Sequence, residues 1–132
     1  MAAVTCYVLD CEGLSKAVRG DRRMLARLKD AHRSGVRVVT SSMTLIEAYH
    51  GQVQHAAWAW AMSRIVVEPV TRDVAEEAIA LLRDTGLHGH KYAIDAALAV
   101  IAGRLGGNVV LYTSDEDDMT KLCAEGVRVV AL

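Results

Sequence analysis

"NVVLYTSDEDDMTKL" (residues 108–122) runs from an unbroken apolar and β-branched stretch into four acids, Asp115 to Asp118, and then into helix-forming residues. That is a strand followed at once by a helix whose first turn is acidic, as the helix dipole favours. The opening of the chain has the same form, with "TCYVLD" (5–10) ahead of "EGLSKAV" (12–18). Between them the pattern repeats. "DRRMLARLKDAHRSG" (21–35) is apolar at Met24, Leu25 and Leu28 and stops at Gly35, and "VRVVTS" (36–41) is a second strand. "MTLIEAYHG" (43–51) and "QHAAWAWAMSR" (54–64) are predicted helical, and "IVVEPV" (65–70) is a third strand. "DVAEEAIALLRDTG" (73–86) is a helix, and "LHGH" (87–90) is a loop. A long Ala-rich helix, "YAIDAALAVIAGRLGG" (92–107), then stops at Gly106 and Gly107, and "VRVVAL" (127–132) closes the chain as a strand. Strands that are continuous Val, Ile and Leu runs, separated by helices, imply a parallel sheet covered on both faces. The expected fold is therefore three-layer α/β with about five strands.

The chain has 132 residues, 52% of them hydrophobic, with one proline and no Ser/Gly-rich tract, which fits one ordered domain over 1–132. Cys6, Cys11 and Cys123 are odd in number and lack a Cys-x-x-Cys pair, and the chain has no basic-then-apolar start. This predicts a reduced, cytoplasmic protein with cysteines as small core residues. No apolar run reaches the roughly 18 to 20 residues of a membrane span. A formal charge of −1 names no partner, but eight of the fifteen Lys and Arg lie between Lys16 and Arg37 against Asp21 and Asp30 alone. A local basic face is possible, and a solvated helix face is the simpler account.

Ligands of such sheets bind beyond the carboxyl ends of the strands. Asp10 ends the first strand, Asp115 follows the fourth, and Glu47 lies shortly after the second. Each also has a structural account. Asp10 can cap a helix, Thr44 to Glu47 fits a capping box, and Ser114 to Asp117 is an acid-rich helix start. Asp95 has none unless a buried Arg or Lys pairs with it, since Ile94, Leu98 and Ile101 mark an apolar face around it. Converging carboxylates repel one another unless a cation intervenes, and oxygen donors without a Cys/His set suit Mg²⁺ or Mn²⁺. The chemistry implied is metal-assisted phosphoryl or phosphodiester transfer.

With these residues in view, the chain resembles the PIN-domain ribonucleases, and among them the VapC-type toxins of bacterial toxin–antitoxin pairs. The resemblance spans nearly the whole chain and rests on "YVLDCEGLSKA", "SSMTLIEAYHG", "HGHKYAIDAALAVIA" and "LYTSDEDDMTKL" in this order. It implies a PIN-like fold and a Mg²⁺- or Mn²⁺-dependent endoribonuclease. The family's acids map onto Asp10, Glu47, Asp95 and Asp115. Asp10, Asp95 and Asp115 would hold metal, and so would Asp118, which matches a further, more variable acid. Glu47 would ligate metal or orient the attacking water, and the Thr113 or Ser114 hydroxyl would help order the site. Glu12 matches an acid found in some members, or is a first-turn helix acid. The expected products are a 5′-phosphate and a 3′-hydroxyl. A small antitoxin would lie in a groove of the early helices and offer an Arg or Lys to the carboxylates, and a homodimer is implied as well.

For the RNA itself, His90, Lys91 and the Arg19 to Arg37 segment are the nearest cations in sequence. His88 and His90 lack a third His or Cys for a metal site, and Trp58 and Trp60 either stack on bases or pack against core or partner. Two alternatives compete. One is a non-catalytic PIN-like module that docks RNA or protein. The other is a haloacid-dehalogenase-like phosphatase, but Glu12 and Leu14 break its Asp-x-Asp-x-Thr start and Asp95 would have no role. A receiver domain fails because the chain ends at Leu132 without a Lys after the fifth strand.

Overall fold

The computed structural model describes residues 3–132. In chain order the elements are β1 (Cys6–Leu9), α1 (Cys11–Val18), α2 (Arg22–Arg33), β2 (Arg37–Ser41), α3 (Ser42–Ala48) and α4 (His55–Arg64). Then follow β3 (Val66–Glu68), α5 (Arg72–Thr85), α6 (Gly89–Arg104), β4 (Val109–Thr113), α7 (Glu116–Leu122) and β5 (Val127–Ala131). The strands form one sheet in the order β3-β2-β1-β4-β5, with every pair parallel. The chain therefore steps outward from β1 through β2 to β3, then crosses back to place β4 on the other side of β1. The switch point is between β1 and β4, where their carboxyl ends open a crevice.

Both faces are covered, as continuous apolar strands require. Val8 and Leu9 are fully buried on opposite faces, Val8 in a core with Leu98, Leu111 and Leu122, and Leu9 in a core with Leu14, Met24 and Leu28. The first core belongs to α5, α6 and α7, the second to α1, α2 and α4. No helix among the described residues is long and apolar enough to cross a membrane.

Four local expectations change. The apolar face expected around Asp95 is instead a helix buried on all sides, because Ala96 to Ala102 are seven successive buried residues. Small alanines let both sheet and helices approach α6, and a helix apolar all round has its place in a core. Asp95 sits at the point where that helix emerges. The expected "LHGH" loop is shorter, since α6 begins at Gly89 and places His90 in its first turn. Tyr49 to Gly51 do not continue α3, which ends at Ala48. The capping box of Thr44 and Glu47 does not form. Ser41 is the cap, its hydroxyl accepting the Thr44 N–H at 3.0 Å, and Glu47 falls in the last turn.

Gly107 fixes the entry to β4. Its φ is +84°, and a side chain there would run into Thr5, whose N–H donates to the Asn108 carbonyl at 2.9 Å. Gly106, its neighbour, has open space around it. Gly107→Ala should therefore cost about 1–3 kcal/mol in denaturant unfolding, whereas Gly106→Ala should stay within about 0.5 kcal/mol of the parent. Equal effects would show that the turn does not set this register.

Candidate functional site

The site begins where β1 and β4 end side by side, with Leu9 in register with Tyr112. The next residue of β1 is Asp10, only 5% exposed. One of its carboxylate oxygens accepts the Gly13 N–H at 2.9 Å, capping α1, and the other accepts the Ser114 N–H at 3.0 Å. The helix-cap and strand-end accounts of Asp10 are thus both met by one side chain. Across the crevice, the buried Thr113 hydroxyl accepts the Asp115 N–H at 2.9 Å and shapes the turn out of β4. Asp115 caps α7, with a long 3.4 Å contact from the Asp118 N–H.

Two further acids arrive from other elements. Glu47 projects from the last turn of α3, and Asp95 from α6 just before its buried run. Asp10, Glu47, Asp95 and Asp115 together line one cavity of about 330 Å³, with Cys11, Glu12, Lys91 and Ser114 also in its wall. Glu12 is held by Arg19 at 2.9 Å. Three sequence candidates stand outside that wall. Thr113 acts through Asp115, and His90 is exposed on the first turn of α6. Asp118 accepts the Tyr92 hydroxyl at 2.6 Å and lies 3.6 Å from Lys121. The remaining acids of the opening stretch, Glu116 and Asp117, are exposed in the first turn of α7.

No family model matches the chain, and no curated protein matches it. Solved structures do. A chain of VapBC2 from Rickettsia felis, in a crystal structure bound to a DNA fragment from their promoter, aligns over 97% of this chain and 99% of that one. The TM-score is 0.69 at 13% sequence identity. The fold is PIN-like. At that identity the likeness carries the fold, and the chemistry has to be argued from the side chains.

In this PIN-like fold the carboxylates dominate the electrostatics of the cavity. The Asp95 carboxyl is pushed up from 3.8 to about 6, first by burial and then by the charges of Asp10, Glu47, Asp115 and Asp118. Among the described residues no Arg or Lys forms an ion pair with it. The Tyr92 hydroxyl holds Asp118 below the usual carboxylate range, against a smaller effect of burial and with help from Asp115 and Lys121. Lys91 is raised by Tyr92 first, then by Asp118 and Asp115 against slight desolvation, so it stays a cation. The Cys11 thiol is pushed up to about 12 by burial and then by Glu47, which leaves it protonated and poorly nucleophilic.

The donor set is all oxygen apart from that inert thiol and Lys91. Among the described residues, no three His, Cys, Asp or Glu side chains are already grouped as ligands around one point. Carboxylate oxygens are the donors that hard ions such as Mg²⁺ take, together with the waters they keep. Each Asp10 oxygen retains lone-pair capacity beyond its N–H bond.

Two members of this neighbourhood escaped sequence reasoning. Cys11 is visible only as the residue after Asp10, and no local rule pairs Tyr92 with an acid 26 positions later. Asp95 supplies the test. Its folded pKa exceeds its ordinary value, so its favourable contribution is complete below about pH 4 and is lost as pH rises through about 6. Ionised Asp95 then costs on the order of 1–3 kcal/mol. In metal-free buffer at pH 7.5, Asp95→Asn should raise Tm by several degrees and flatten the pH 4–7 limb of the stability profile. A lower Tm at pH 7.5 would show that the acids do not strain one another.

Proposed function

We propose that the chain is a Mg²⁺- or Mn²⁺-dependent endoribonuclease of the toxin type, cutting RNA in the cytoplasm and restrained by a small antitoxin. One observation carries this reading. Asp10, Glu47, Asp95 and Asp115, from four separate segments, line a single cavity at the switch point of the sheet, and among the described residues no Arg or Lys forms an ion pair with Asp95. Uncompensated convergence of this kind costs stability, and a divalent cation is the group that offsets it.

Asp10, Asp95 and Asp115 would hold the ion, which when bound would lower the pKa of a water and stabilise charge developing at phosphorus. Asp10 arrives pre-oriented by its two N–H bonds, and Thr113 holds the turn that presents Asp115. Asp118 is engaged with Tyr92 and Lys121, so its part is to shape the field around Asp95. Glu47 is exposed at the cavity wall and can take the proton of the attacking water or orient it. Lys91 gives the cavity a cation to meet the scissile phosphate. His90, exposed one residue earlier, adds to substrate contact from the same helix turn.

The antitoxin would cover the outer side of α3. Met43, Ile46 and Tyr49 are 38%, 68% and 59% exposed there, an apolar row beside Glu47. An Arg or Lys following such an anchor would reach the carboxylates. A homodimer is part of the same proposal.

The direct test is cleavage of labelled single-stranded RNA with Mg²⁺ or Mn²⁺ and with chelator. Asp95→Asn and Glu47→Gln are the informative variants. Asp10→Asn would turn an amide donor against a backbone N–H and confound loss of activity with loss of fold. We expect metal-dependent cleavage that falls about 100-fold or more in both variants. Millimolar Mg²⁺ should also raise the Tm of the parent more than that of Asp95→Asn. Cleavage unaltered in both variants would remove the mechanism, and RNA binding without cleavage under all conditions would identify the non-catalytic module.

A further inference from the structure

At the opposite edge of the sheet from the carboxylates, the amino-terminal ends of β2 and β3 flank a second cavity of about 270 Å³. Its polar wall is basic. His32 comes from the last turn of α2, Arg37 from the first position of β2, and Arg64 from the end of α4, over a floor that includes Leu28 and Val38. No acid lines it. Among the described residues neither Arg37 nor Arg64 forms a salt bridge. Arg64 is held on one side, with its guanidinium carbon 5.4 Å from the centroid of the Trp60 ring. Among the described residues its buried Nε–H has no hydrogen-bond partner. A guanidinium lining a cavity that holds no acid is a fork of donors for an entering anion.

We propose that this cavity binds a phosphate of a polynucleotide backbone, as a site separate from the carboxylate cavity. The wider surface favours a polymer over a free anion. Between Arg22 and Arg37 there are six Arg and Lys against Asp30 alone, in a chain whose total charge is −1. Lys29 and Arg33 are exposed on that same helix, Arg33 3.7 Å from Asp30, and carry cationic side chains outward from the cavity. A run of successive phosphates can use such a surface, whereas inorganic phosphate can use only its centre. The two cavities lie at opposite ends of strands no longer than five residues, on the order of 17 Å at ordinary strand rise. The site does not depend on the carboxylate cavity being catalytic.

Binding in chelator separates the two ideas, because no cleavage is then required. Fluorescence anisotropy with labelled single-stranded RNA, and with duplex DNA of equal length, should be run across a salt series on the full chain. For the polymer that uses the site, Arg37→Gln/Arg64→Gln should weaken binding on the order of tenfold at 0.1 M salt. It should also shrink the magnitude of the log–log salt slope by about 0.7 for each RNA phosphate lost, or about 0.9 for duplex DNA. Arg37→Gln alone, at an exposed position, should give a smaller loss of the same sign without a change in Tm. Arg72→Gln, on the opposite layer and paired with Glu76, should leave binding unchanged. Whichever polymer shows the larger loss is the source of the phosphate. Unchanged affinity and slope on both polymers would overturn the proposal, as would a response to inorganic phosphate alone. Because binding is read in chelator, a failed nuclease reading would leave this result intact.

Discussion

Asp10 accepts two backbone N–H groups from segments about a hundred residues apart, and the remaining features of the site depend on that junction. Gly13 opens α1 and Ser114 opens the turn after β4, so one buried carboxylate joins the first strand, the first helix and the last crossover. A neutral side chain would satisfy one of these donors and leave the other short of an acceptor in a buried place. The charge of Asp10 is therefore structural before it is anything else. Because it is structural, it is also a rigid reference from which the neighbouring carboxylates are disposed.

Around that reference the chain tolerates an arrangement that packing alone would disfavour. α6 is buried on all sides along Ala96 to Ala102, which fixes the helix and so the backbone from which Asp95 projects beside Asp10, Glu47 and Asp115. The Tyr92 hydroxyl and Lys121 engage Asp118, while Asp95 has burial and four neighbouring carboxylates acting on it. Lys91 is the cation in the cavity wall among the described residues, and it lies on the exposed first turn of the same helix. The result is a cavity with a strong local field in a protein of nearly zero net charge.

The charges are also sorted along the strands. Carboxylates gather beyond the carboxyl ends of β1 and β4, while Arg37, Arg64 and His32 of the last turn of α2 gather at the amino end of β2. A parallel sheet makes this sorting possible, since all strand ends of one kind open on one edge. An acidic cavity alone would repel a polyanion; a basic surface at the other edge supplies attraction without neutralising the acids.

The alternation of apolar runs and helices was enough, from sequence, to yield the parallel three-layer fold, because burial on both faces leaves strands no polar positions. The same logic singled out Asp10, Glu47, Asp95 and Asp115, as acids stand out after strands and inside an apolar helix. What escaped depended on distance through space. The capping box at Glu47 was a legitimate local pattern, but Ser41, the last residue of β2, puts its hydroxyl on the Thr44 N–H and starts the helix three residues before Thr44 could cap it. The family resemblance pointed to Asp118, but only the packing of α6 against α7 brings Tyr92 to its carboxylate. His32, Arg37 and Arg64 lie on three elements and carry no shared motif, so their cavity exists only once β2 and β3 pair. Local sequence determined which segments are strands and helices and which acids are out of place. Tertiary structure decided which charges meet, because that depends on strand order and helix packing, which have no period along the chain.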